Sequence, residues 1–157
     1  MSDRSLEALR FAAEQDPDPR AAFALLDGVP RAPNACGKGC AFCCHLPVLV
    51  TAPEADVLAE VARRRPDVRA RLAKDERRCP FLGDDDLCVA YDARPLRCRA
   101  HTSSERAICE RVFAGERPAA SVPGDPWLRL SAEAIRRGLG EERELRAAVR
   151  EAIGRQG

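Results

Sequence analysis

Four cysteines fall within nine residues, Cys36, Cys40, Cys43 and Cys44, in the run CGKGCAFCCH. No other feature of the chain constrains its fold as tightly. Thiols at that density make a metal site, a disulfide knot or a redox device. Four more follow at Cys79, Cys88, Cys98 and Cys109. The compartment separates the options. The N-terminal run MSDRSLEALRFAAEQ is charged and helical in pattern, without the apolar centre of a secretory leader. The longest strongly apolar run, around LPVLV, is short, and no segment is long enough to span a bilayer. These features point to a reducing cytoplasm, where structural disulfides are rare. Eight cysteines in that setting read as metal ligands rather than as a disulfide framework.

On a helical backbone, Cys36, Cys40 and Cys43 are spaced by four and three, which puts their thiols on one face. Gly37 and Gly39 relax the backbone, so a tight loop would also let the sulfurs converge. Adjacent side chains point apart in most backbone conformations, so Cys43 and Cys44 can rarely ligate one tetrahedral ion together. Either one of the pair is a bystander, or the region binds more than one metal atom. A dinuclear site, or an iron–sulfur cluster with a spare thiolate beside it, would use both. All-thiolate donors suit zinc, cuprous copper or iron–sulfur clusters and do not suit calcium or magnesium.

The other ligands come from further along. CPFLGDDDLCVAY has two apolar runs around a turn, so it reads as a β-hairpin. A hairpin brings distant thiols together, here Cys79 and Cys88, with Cys98 at the turn that follows. The expected metal ligands are therefore Cys36, Cys40, Cys43, Cys79, Cys88 and Cys98, with Cys44 as the alternate. Arg94, Arg97 and Arg99 surround Cys98 and are the candidate cofactor-binding residues. Positive charge lowers a thiol's pKa and offsets the negative charge of a thiolate site; the competing reading is solvated surface charge. His45 and His101 stand beside the two cysteine groups, as substitute ligands or as hydrogen-bonding partners. Cys109 lies on the apolar face of its predicted helix and reads as buried packing.

Around these cysteines the pattern is helical. Residues 4–15 are amphipathic. Asp18-Pro19 opens a second helix that stops at Gly28. Leu46 to Val50 is a candidate buried strand. Thr51-x-x-Glu54 is a capping box for a helix ending near Arg65, where Pro66 breaks it. A short polar helix spans 67–77, and Thr102-x-x-Glu105 caps the helix carrying Cys109. Asp125-Pro126 starts a helix with Trp127, Leu130, Ala134 and Ile135 on one face, and a last helix begins near Glu141. The length of 157 residues suits a single domain, 1–157, with a sizeable core. The expected fold is mainly α: a small helical domain with one short β-hairpin, organised around a cysteine-rich metal site. Its metal-binding core is 36–110, flanked by N-terminal (4–28) and C-terminal (125–153) helices.

CGKGCAFCCH followed by CPFLGDDDLCVAYDARPLRCR resembles the YkgJ-type cysteine-cluster family, a zinc- or iron-chelating domain named for its CxxCxxCC signature. The similarity runs from about residue 36 to 110. It combines C-x3-C-x2-C-C, then CPFL, a turn, C-x-x-Y and RP-x-x-CR. It implies metal ligation by a subset of Cys36, Cys40, Cys43, Cys44, Cys79, Cys88 and Cys98, and it matches Arg94-Pro95 and Arg99 to the RPxxCR signature.

Three functions compete on the sequence. The first is a cytoplasmic metal-binding protein in which zinc or an iron–sulfur cluster organises the fold. The second is an iron–sulfur-dependent enzyme, a redox protein or a transferase. CGKGCAFC also resembles the C-x3-C-x-aromatic-C triplet of radical-SAM enzymes, with Phe42 at the aromatic position, but the chain lacks the strand–helix alternation of their barrel. Likewise, a thioredoxin-like use of Cys40 and Cys43 expects a βαβ context that is missing. The third is a nucleic-acid-binding zinc module. Its support is a stripe over 61–78 with eight basic and three acidic side chains. Without aromatics it offers no base stacking, and the net charge of +1 shows no basic excess. Nucleic acid is therefore disfavoured. The sequence names no protein partner.

Overall fold

The computed structural model describes residues 2–118, 120 and 122–155. Its elements are α1 (Asp3–Gln15), α2 (Pro19–Asp27), β1 (Leu49–Thr51), α3 (Ala52–Arg63), α4 (Pro66–Ala73), α5 (Leu96–Ala100), α6 (Arg106–Phe113), α7 (Pro126–Leu139), β2 (Glu142–Glu144) and α8 (Leu145–Arg155). Short 3-10 turns lie at Phe42–His45 and Tyr91–Ala93. The protein is mainly helical, with a single two-stranded antiparallel pairing among the described residues.

That pairing does not lie where the sequence places a hairpin. β1 pairs with β2, Val50 opposite Arg143, so a strand before α3 meets the strand that leads into α8. The expected hairpin over 79–91 reduces to one bridge, Leu82 with Cys88. Its Gly-Asp-Asp-Asp turn is nonetheless tight: the Gly83 N–H donates to the Leu87 carbonyl at 2.8 Å, and Asp86 is left-handed at φ 59°. The distant thiols still reach one another, through the turn rather than through a ladder.

Helix starts follow local chemistry. Asp18 accepts the Arg20 N–H, and Pro19 occupies the first turn of α2. Asp125 accepts the Trp127 and Leu128 N–H groups at the start of α7. Glu54 accepts both the backbone N–H and the hydroxyl of Thr51 at 2.8 Å, which closes the expected capping box of α3. Pro66 ends that run and opens α4. Thr102 does not cap α6. Its hydroxyl accepts the Asp125 N–H instead, while Ser103 bonds Glu105. The last helix starts at Leu145, later than expected, because 142–144 are extended.

Two apolar clusters share α3. Leu58, Ala59 and Ala62 face Val50, Val68, Phe81 and Val149, drawn from β1, α4, the turn region and α8. Val57 faces the other way, towards Phe23, Leu26, Leu96, Leu128 and Ile135 of α2, α5 and α7. The broadest helix contacts are α1 on α7 and α3 on α8. At α1–α7 the approach depends on Gly138, where an added Cβ would lie 2.5 Å from the Arg10 carbonyl oxygen. The buried face of α7 is Leu128, Ser131, Ala132 and Ile135, whereas Trp127 and Leu130 are exposed. The face expected from the sequence is thus rotated, and Ile135 is common to both faces.

Candidate metal centre

The cysteines reach the site on two kinds of backbone. Cys36 and Cys40 lie on an irregular arm, where Gly39 takes a left-handed φ of 84°. Cys43 and Cys44 sit in the 3-10 turn Phe42–His45. Cys79 and Cys88 flank the Leu82–Cys88 bridge and pack on the first apolar cluster. Cys98 is on α5 and Cys109 on α6. Backbone bonds fasten the arm: the Cys79 N–H donates to the Cys44 carbonyl at 2.7 Å, and the Ala35 N–H to the Ser103 carbonyl at 2.8 Å.

Six thiols, those of Cys40, Cys43, Cys44, Cys79, Cys88 and Cys98, line one cavity of about 490 Å³. All eight cysteines are free. Among the described residues, no three His, Cys, Asp or Glu side chains stand in an arrangement that would hold a metal ion. The donor chemistry fits a thiophilic metal: the cavity gathers six soft sulfur donors against two carboxylates, Asp86 and Glu133.

Several sulfurs are already served as thiolates would be. The Ser103 N–H donates to Cys36 Sγ at 3.2 Å. The backbone N–H groups of the residue two places on, Phe42, Phe81 and Ala90, lie near enough to Cys40, Cys79 and Cys88 to favour their charged forms. Such contacts stabilise the charged sulfur. Burial opposes it, and it is the largest effect at each of these four, so all stay above the ordinary thiol value, Cys79 at about 11. Desolvation, then the charges of Cys79, Cys43 and Cys88, pushes Cys98 well up. Within the adjacent pair, Cys43 and then burial push Cys44 up, while Cys44 draws Cys43 down to about 7.

The three arginines separate. Arg94 lines the cavity, and its charge acts on Cys43, Cys88 and Cys98. Its guanidinium lies 3.6 Å from the centroid of the Tyr91 ring, which Lys38 of the arm approaches at 4.9 Å. Arg97 lines the cavity but donates two hydrogen bonds to the Glu142 carboxylate, at 2.8 and 2.7 Å. Arg99 does not reach it. Arg99 bonds Asp27 and the Arg94 and Asp92 carbonyls and borders a groove by α2.

Sequence reasoning marked Tyr91 only as the last residue of C-x-x-Y, and did not find Lys38, or Arg129, Glu133 and Arg136, which α7 contributes to the cavity wall. It also did not find the second bond of Glu54, whose other oxygen accepts the Leu96 N–H at 2.7 Å. That buried carboxylate ties the start of α3 to the start of α5, two residues before Cys98. His101 lines the same cavity; burial and then Arg129 lower its pKa. His45 stands in a neighbouring cavity, with Nδ1 3.2 Å from the Ala41 carbonyl. Cys109 is buried, as its helical face requires, yet it is electrostatically close to Cys36 and Cys40. Four of the eight basic side chains of the stripe are bonded within the molecule: Arg65 and Arg71 hold Asp67, Arg63 holds the Ala152 carbonyl, and Arg78 holds the Gly83 carbonyl.

The family model that matches this chain covers residues 35–118, more than half of its length, and is described as "CxxCxxCC: Putative zinc- or iron-chelating domain". The chain belongs to that family, whose description is consistent with a metal-binding role. No curated protein and no solved structure matches it. Among the described residues, no helix is long and apolar enough to cross a membrane.

Proposed function

We propose that this is a cytoplasmic metal-binding protein of one domain, whose 36–110 core holds zinc or an iron–sulfur cluster through thiolates drawn from Cys36, Cys40, Cys43, Cys44, Cys79, Cys88 and Cys98. The observation that carries the reading is the single cavity onto which six of these thiols open. The Ser103 N–H on Cys36 Sγ supports it, with the backbone N–H groups near Cys40, Cys79 and Cys88, since outer contacts of this kind orient ligating thiolates. Arg94 offsets the charge that several thiolates would bring. Arg99 holds the turn from outside. Ligation requires the arm to close on the Cys79–Cys88 turn and the thiols to lose their protons. Binding then contributes directly to the folding of this central region, on the order of 10–16 kcal/mol for a structural zinc.

Anaerobic purification tests this. Stoichiometric zinc in a colourless protein, or iron with broad visible absorption, is the expected result, and C43S/C79S/C88S abolishes it. Protein without either metal, with a melting curve indifferent to a chelator, overturns it. A second reading, an iron–sulfur enzyme, is favoured by the size of the cavity, which exceeds what an ion needs. An open coordination position would distinguish it: a small exogenous ligand would perturb the spectrum of the iron form only in that case.

A further inference from the structure

The thiols fall into two neighbourhoods that meet at the adjacent pair. The thiols acting most strongly on Cys36 are Cys40, Cys109 and Cys43, and those acting on Cys40 are Cys43 and Cys109. For Cys44 they are Cys43, Cys79 and Cys98, and for Cys98 they are Cys79, Cys43 and Cys88. Cys43 belongs to both.

The backbone shows the same division. The Cys36 side is laced to the segment entering α6, through the Ser103 N–H on Cys36 Sγ at 3.2 Å and the Ala35 N–H on the Ser103 carbonyl. The Phe42 and His45 rings rest on Phe113 of α6, with centroids 5.7 and 4.8 Å away, and this holds the helix carrying Cys109 against the turn. Cys44 is laced the other way, to Cys79, through its carbonyl. Cys43 is the thiol common to two of the cavities: it lines the first with Cys40, Cys44, Cys79, Cys88 and Cys98, and a second of about 310 Å³ with Cys109. Each side has its own cation: Arg94 acts on Cys88 and Cys98, and Arg106 on Cys40.

We propose that the chain holds two thiolate-bound metal positions, one drawing on Cys36, Cys40 and Cys109, the other on Cys44, Cys79, Cys88 and Cys98, with Cys43 at the boundary between them. This rests on the metal-binding reading above and extends it to Cys109. A tetrahedral all-sulfur position takes four donors, so two positions account for the full set of eight. The adjacent pair then has a purpose: side chains that diverge from neighbouring residues serve neighbouring metals. Each thiol gives its proton to solvent as its sulfur–metal bond forms.

The test is titration of the reduced full-length chain with zinc under anaerobic conditions, followed by elemental counting after gel filtration. Two zinc ions per chain are expected, falling to one in Cys109→Ala and to one in Cys88→Ala. Circular dichroism checks that each variant is folded. Should Cys109→Ala not fold, Cys36→Ala, at an exposed position, is expected to show the same loss. Retention of the wild-type count in both Cys109→Ala and Cys36→Ala overturns the two positions while leaving the metal-binding reading intact. So does a wild-type count of one that only Cys88→Ala abolishes. No zinc bound by the wild type overturns the metal-binding reading itself.

Discussion

From Pro30 to Leu49 not one residue is buried, whereas between Phe81 and Ala100 the chain buries Phe81, Leu82, Ala90, Leu96 and Ala100. Both stretches supply cysteines to the same cavity. The second is anchored as any core segment is, by apolar area removed from water, at about 25 cal/mol per Å². The first has less of it: Val48, half-buried, packs on the first apolar cluster. The stretch is held mainly by hydrogen bonds at Ala32, Ala35, Cys44 and Val48, a cation near Tyr91 and rings packed at an angle against Phe113. A rigid half of the site therefore faces a loosely held half. A centre built this way can open without disturbing the helices, and a bound metal would act mainly on the arm.

The sharpest way to break that contrast is to remove the metal. On the two-half view, stripping it with a chelator lowers amide-exchange protection in 36–47 by more than about 100-fold. Protection along α1, α7, α3 and α8 stays within about threefold, because local opening draws on few buried contacts. Hydrogen exchange with mass spectrometry reads both. A uniform loss over all helices would mean that the frame depends on the metal as much as the arm does.

Next in size is Phe81→Ala. Phe81 is 1% exposed and lies between Cys79 and the turn, packed on the α3–α8 cluster. The change costs about 3–5 kcal/mol, read by chemical denaturation. It should also weaken zinc, since it loosens the rigid half. A truncation in the other cluster, Leu128→Ala, costs about 2–5 kcal/mol and should leave zinc affinity per folded molecule unchanged.

The same contrast governs what the sequence reveals. Features fixed by neighbours along the chain were legible: the Thr51–Glu54 box, Pro19 and Pro66 at helix starts, and Asp125 ahead of α7. The crowding of cysteines was legible too, since spacing alone demands a reason for it. Features fixed by distant partners were not. β2 is three residues long and exists through its pairing with β1. Helical periodicity marks an apolar stripe on α7, but the close approach of α1 at Gly138 decides which stripe is buried. Cys109 is buried as its helical face requires, but its nearness to the arm was hidden, because only the fold sets α6 there. Arg99 sits beside Cys98 in sequence, yet its side chain leaves on the opposite side, to Asp27.

Gly138→Ala probes the frame at smaller cost. Alanine favours a helix by about 1 kcal/mol over glycine, but its Cβ would lie 2.5 Å from the Arg10 carbonyl oxygen and 2.9 Å from the Ala13 Cβ. Two helices must separate, and overpacking costs about 1–3 kcal/mol. The net effect is a lower melting temperature with metal binding intact. A rise in melting temperature would show that the α1–α7 contact is softer than its geometry implies.

The smallest effect falls where frame and arm join. Asp125 Oδ1 accepts the Trp127 and Leu128 N–H groups, while Oδ2 accepts the Ala32 N–H of the arm at 2.8 Å. The Ala32 bond, followed by that of Leu128, holds its pKa below the ordinary carboxylate value. A carboxyl depressed in the fold adds stability that is fully present above its unfolded pKa. That stability disappears as pH falls through the lower, folded value. Asp125→Ala removes cap and tether together, at about 1 kcal/mol near neutrality. Asp125→Asn keeps an oxygen for the cap, has no second acceptor for Ala32 and does not titrate, so its cost is smaller. Urea denaturation at pH 7 and again near pH 3 should therefore show the gap between wild type and Asp125→Asn narrowing on acidification. A gap that stays constant would mean that the Ala32 tether contributes nothing, and that the arm hangs from α6 and the Cys79 turn alone.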